Sequence, residues 1–124
     1  MSDLLFKKNF SEIDIERLEN EYGRRFNRGY LVAKKGYVKK HIFRPSNRVL
    51  WTVVGRKREH ILFDSLFCSC TDFYMSVVVK RTEKYCYHQI AQIIACNQNL
   101  YKTEYHDDSE WIKFIDLSKE YHMK

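Results

Sequence analysis

Residues that break or bend a chain are scarce in this sequence, with one proline and four glycines among 124 positions. With 44% hydrophobic and 31% charged residues beside them, this is the composition of a folded globular chain rather than a disordered tail. Low-complexity stretches and internal repeats are absent. No apolar run approaches the ~20 residues that a membrane span needs. The first ten residues are interrupted by Asp3, Lys7 and Lys8, so they lack the continuous apolar core of a signal peptide. The chain is therefore expected inside the cell, in the cytoplasm or, in a eukaryote, the nucleus. In that reducing setting its four cysteines are expected to bind metal rather than form disulfides. Its length is that of one ordinary domain, 1–124, able to bury one hydrophobic core.

Acidic residues are missing from one long stretch. Positions 24–58 hold twelve Lys or Arg and no Asp or Glu, whereas positions 61–124 hold seven basic and nine acidic residues, a net of −2. The overall charge of +6 therefore belongs to the first half of the chain, and a basic face seeks polyanions. The candidates for sequence-independent, salt-dependent phosphate contact are Arg24, Arg25, Arg28, Lys34, Lys35, Lys39, Lys40, Arg44, Arg48, Arg56, Lys57 and Arg58. Tyr30, Tyr37, Phe43 and Trp51 lie between them and could stack on unpaired bases, although alternating aromatics in strands more often belong to a core.

Hydrophobic spacing predicts helix, strands, helix, helix. Ser11 can cap a helix over about 11–26, in which Ile15, Leu18, Tyr22 and Phe26 recur at helical intervals. Lys35-Gly36, Pro45-Ser46-Asn47 and Gly55-Arg56-Lys57 then punctuate four predicted strands near 29–33, 37–43, 48–54 and 60–67. Connections this short predict an antiparallel meander, since parallel pairing needs longer crossovers. A helix is predicted from just after Cys86 to about Leu100, and another over about 108–121, with Trp111, Phe114, Ile115, Leu117 and Tyr121 as its apolar surface. The fold expected is α+β, a small antiparallel sheet flanked by helices with one structural zinc site.

The zinc expectation comes from two close pairs. Structural zinc takes four thiolate or imidazole donors in a tetrahedron. Cys68 and Cys70 fall at a strand end, where residues i and i+2 point to one side. In a helix the same spacing turns through about 200°, so Cys86 must precede the helix and His88 lie in its first turn. Fifteen residues separate the pairs, enough to leave the strand and return. Two further cysteines beside a Cys and a His argue for a closed metal shell and against a nucleophile and base. Four protein donors leave no position for water, which also disfavours zinc hydrolysis, and no catalytic residue is assigned. Cys96 is expected as a small buried hydrophobe. His41, His60, His106 and His122 have no partner at metal spacing and are expected as ordinary surface or core histidines.

Cys68-x-Cys70 followed by Cys86-x-His88 resembles the SWIM-type zinc finger. Ala91, three residues after His88, is similar to the Cys-x-His-x-x-Ala form of that family's recombination-accessory branch, and Val53-Val54-Gly55 with the strand after it resembles the SWIM strand pair. The resemblance covers about 49–95. It implies a zinc-dependent module that binds DNA or protein and, in the branch with the alanine, a RecA-family recombinase paralogue as partner in homologous recombination or repair. A second reading keeps the zinc and makes the chain a pure protein-interaction adaptor without DNA contact. Neither reading includes a membrane or a small-molecule substrate. A transposase-like role is disfavoured, because the chain is too short for a nuclease domain and shows no acidic triad.

Overall fold

The computed structural model describes residues 4–55, 59–63 and 67–115. After a short 3-10 turn at Leu4–Phe6, helix α1 runs Glu12–Tyr22. Its start is capped reciprocally: Asp14 N–H donates to Ser11 Oγ at 3.1 Å, and Ser11 N–H donates to Asp14 Oδ2 at 3.1 Å. Lys7 Nζ adds a 2.7 Å ion pair to the same carboxylate. The helix ends at Gly23, whose φ of 64° and ψ of −142° lie outside the helical region, and α2, Arg24–Lys34, begins at once.

Two expectations fail here. The single helix predicted over 11–26 is two helices broken at Gly23, and the strand predicted near 29–33 is the second half of α2. Tyr22, Phe26, Gly29 and Ala33 recur at intervals of four, three and four, the period of a buried helical stripe, and all four are buried. Glycine belongs in this stripe because of what lies over it. A Cβ on Gly29 would stand 2.8 Å from Ile90 Cγ2 and 2.8 Å from the Tyr87 carbonyl oxygen, so the absent side chain lets α2 cross closely against α3, Tyr87–Gln98.

The sheet has five strands in the order β4-β3-β2-β1-β5 among the described residues. β1, Val38–Arg44, pairs antiparallel with β2, Arg48–Val54, and β2 with β3, Glu59–Phe63. The strand predicted over 60–67 is a hairpin instead: β3 pairs antiparallel with β4, Phe67–Cys68, setting Leu62 opposite Cys68. The fifth strand, β5, Lys102–Asp107, had no counterpart in the sequence reading and lies parallel to β1. The sheet is thus mixed rather than purely antiparallel. The meander from β1 to β4 followed by α3 supplies the long crossover that parallel pairing requires.

Alternation sends the two sheet faces to different partners. Val38, Trp51, Val53 and Leu62 join Leu18, Phe26, Ile90, Ile93 and Ile94 in the main core beneath the helices. Phe43, Leu50 and Ile61 face the other way and are covered by Phe63, Trp111 and Phe114. The helix predicted over 108–121 opens as a 3-10 turn, Asp108–Glu110, and is helical through 111–115. Its remaining expected residues, Leu117 and Tyr121 included, fall outside the described ones.

Candidate metal centre

Cys68 is the last residue of β4 and Cys70 follows it by two, both facing inward. Ser69 between them is locked to the sheet, its N–H donating to the Ile61 carbonyl at 2.9 Å and its Oγ accepting from Ile61 N–H at 2.9 Å. The chain then turns through residues 71–72 into a π-helical segment, Phe73–Val79, and so leaves the strand before returning to Cys86. Phe73 N–H donates to Cys70 Sγ at 3.3 Å, a backbone donor that favours a thiolate at that sulfur. Cys86 is the N-cap of α3, with extended φ and ψ of −81° and 168°, and His88 lies in the first helical turn, as the two-residue spacing requires. The Gln89 carboxamide accepts from Cys86 N–H at 3.0 Å and fixes the helix start.

The four donors meet. Ligand atoms of Cys68, Cys70, Cys86 and His88 all lie within 4.8 Å of one another, and all four residues are buried. A tetrahedral zinc with sulfur at about 2.3 Å and nitrogen at about 2.0 Å sets three sulfurs and one nitrogen about 3.5–3.8 Å apart, so the cluster could hold one such ion. Two observations argue that the group is suited to one. Neither ring nitrogen of His88, which is only 4% exposed, has a hydrogen-bond partner among the described residues. A buried imidazole without a partner is costly unless a further ligand satisfies it. The three thiols, free of disulfides, also perturb one another: burial pushes those of Cys68 and Cys86 up, whereas hydrogen bonds from Cys68 and Cys86 hold that of Cys70 far down. One thiolate is thus stabilised among three sulfurs, and a cation at their centre favours the thiolate form of all three.

A protein of Dictyostelium discoideum named Zinc finger SWIM domain-containing protein 7 homolog is 39% identical to this chain over 79 residues. A zinc finger protein is among its relatives. The match takes in 62% of this chain and 51% of the relative, so it spans about half the length of that protein. No family model matches the chain, and no solved structure matches it. The relative's name and the Cys3His cluster together support a zinc-binding domain.

The described basic candidates differ in their surroundings. Arg25 is half-buried and pairs with Asp72 at 2.9 Å and Glu83 at 3.4 Å, and those acids raise its pKa. Lys39 pairs with Glu104 at 3.3 Å. Lys40 leans toward Trp51 and Tyr101, Arg44 lies over Tyr105, Arg48 over Trp111 and Lys34 over Tyr30. Arg56, Lys57 and Arg58 fall outside the described residues. On α2 and its end Arg24, Arg28, Leu31 and Lys35 recur at helical spacing and are all exposed, the Arg28 guanidinium lying over the Tyr87 ring. Of the candidate stacking aromatics, Phe43 and Trp51 are core residues, Tyr30 is half-buried and Tyr37 is exposed.

Two further expectations are corrected. Cys96 is exposed rather than buried. His41 and His106, read as isolated in the sequence, lie side by side with Nδ1 and Nε2 2.8 Å apart. They are 65 positions apart in the chain, and only the parallel register of β1 and β5 joins them, so no local signal announced the pair. The His60 ring lies tilted against that of His88, centroids 4.2 Å apart, and His122 falls outside the described residues.

Proposed function

We propose that the protein is a non-enzymatic accessory factor in which Cys68, Cys70, Cys86 and His88 hold one structural zinc, and which binds DNA, a RecA-family recombinase paralogue or both in homologous recombination or repair. The observation carrying this reading is the convergence of four buried donors from two distant chain segments. When bound, zinc supplies a tetrahedral cross-link that holds the end of β4 to the start of α3. The protein's own residues do the rest. Ser69 and Phe73 orient the first pair of donors, Gln89 orients the second, and Gly29 seats α3 against α2, where the basic stripe lies. Process and partner rest on the resemblance of Cys68-x-Cys70, Cys86-x-His88 and Ala91 to the SWIM pattern.

The DNA arm is tested by measuring affinity for a fluorescent oligonucleotide across a salt series, with wild type and the triple variant Arg24→Ala/Arg28→Ala/Lys35→Ala. A phosphate-tracking stripe predicts affinity that falls steeply with salt, and a slope in the variant reduced by about one unit per basic residue removed. The adaptor reading predicts no salt-dependent binding, with capture of a recombinase paralogue unaffected by the triple substitution.

A further inference from the structure

A second group of metal-ligating side chains lies on the opposite sheet face from the first. His41 on β1 and Glu104 and His106 on β5 bring one donor atom each to a common point, mutually within 4.8 Å. His41 Nδ1 is 2.8 Å from His106 Nε2, and Glu104 Oε1 stands 3.7 Å from the former and 3.8 Å from the latter. We propose that these three residues form a separate site for a divalent transition-metal ion such as Zn2+, bound through His41 Nδ1, His106 Nε2 and Glu104 Oε1.

Three features of the surroundings select those atoms. A tetrahedral ion with bonds of about 2.0–2.1 Å places its donors about 3.3–3.4 Å apart, and the three observed separations straddle that edge length. Small movements of the exposed Glu104 side chain and of the His106 ring equalise them. The His41 imidazole also has its other nitrogen hydrogen-bonded, as metal-binding histidines do, and that of His106 has a carboxylate nearby. His41 Nε2 lies 2.8 Å from Thr52 Oγ1, a buried hydroxyl, and His106 Nδ1 faces Glu110 Oε2 at 3.8 Å. In the tautomer in which His41 Nε2–H donates to Thr52 Oγ1, Nδ1 is left with its lone pair. Neutral His106 needs only to carry its proton on Nδ1, toward Glu110, to free Nε2. The carboxylate is poised too, since Lys39 engages Oε2 at 3.3 Å and leaves Oε1 for the histidines.

The environment suits a bound ion with an entry path. His41 is 3% exposed and packs with His106 against Phe114, while Phe43 stacks under the His106 ring. Glu104 is 43% exposed and opens the cluster to solvent from the β5 side. Two imidazoles and one carboxylate suit zinc, copper, nickel or iron and disfavour calcium or magnesium. Such an ion would fasten β5 to β1 at the positions where they are already in register, His41 opposite Glu104 and Phe43 opposite His106.

The test is calorimetric titration of ZnCl2 into the purified full chain carrying its resident metal, with wild type, Glu104→Gln, His106→Ala and Thr52→Val compared, alongside 15N NMR of the histidine rings. The expected result is one equivalent taken up by wild type, at least tenfold weaker uptake in Glu104→Gln and His106→Ala, and about 10–100-fold weaker uptake in Thr52→Val. The His41 and His106 ring nitrogens should shift on titration while those of His88 stay unmoved, which keeps the result independent of the first site. Equal uptake by wild type and Glu104→Gln, a surface substitution compatible with folding, or uptake that leaves both ring signals unmoved, would overturn the proposal.

Discussion

Arg25 and Asp72 are joined by two hydrogen bonds, Nε to Oδ2 at 3.1 Å and Nη2 to Oδ1 at 2.9 Å, and this fork ties α2 to the turn that follows Cys70. Ser76 Oγ donates to the same carboxylate at 2.9 Å, so the π-helical segment is drawn into the arrangement. Arg25→Ala should therefore lower the unfolding free energy by about 1 kcal/mol, because the pair is bidentate but partly solvated. The same substitution should leave the salt slope of any DNA binding unchanged. Urea denaturation and the oligonucleotide titration read the two effects separately.

The crossing of α2 and α3 depends on a missing side chain. Gly29→Ala gains up to about 1 kcal/mol in helix propensity but drives a methyl to 2.8 Å from Ile90 Cγ2 and from backbone at Tyr87. Overpacking against backbone costs about 1–3 kcal/mol, so the net change should be destabilising. A lowered denaturation midpoint with an unchanged m-value is the outcome expected.

Metal removal should affect more than the four ligands. Cys68→Ala and His88→Ala should each lose one zinc per chain in native mass spectrometry, together with partial unfolding, since the ion joins β4 to α3. Acid should release the ion as thiolates and imidazole take up protons. A metal-free wild type that stays fully folded would count against the structural zinc.

At the first helix, Ser11→Ala should cost about 1 kcal/mol through loss of the cap. Its partner Asp14 has a carboxyl held below the ordinary value of 3.8, first by the hydrogen bond from Lys7 and then by that from the Ser11 backbone. The folded state thus binds fewer protons there than the unfolded state. The stabilisation is present above the unfolded pKa and is lost as pH falls through the folded one. Asp14→Asn should consequently flatten the acid limb of a stability profile below about pH 4.

Much of the metal cluster was legible because its chemistry is local. Two donors at i and i+2 on a strand, and two more placed across the start of a helix, constrain the backbone wherever they occur, and Cys86 as N-cap followed that geometry. The meander was legible for the same reason, since its turns are short and marked. The 29–33 segment misled because Gly, Tyr, Leu and Val score as strand in isolation, while the stripe from Tyr22 to Ala33 acquires meaning only with α3 laid against it. β5 was invisible because Lys-Thr-Glu-Tyr-His-Asp has no apolar alternation. Its partners, His41 and Phe43, lie some sixty residues earlier, and nothing nearby in sequence points to them.

The sheet offers very different margins to another chain. On one side β4 presents two residues, ending in a candidate metal ligand, too short a template for an incoming strand. On the other, β5 presents six, opening with Lys102 and closing with Asp107. Charges at both ends of an outer strand discourage indiscriminate strand addition. Any self-association by strand pairing in the described part of this molecule is therefore channelled to that single, charge-bracketed border.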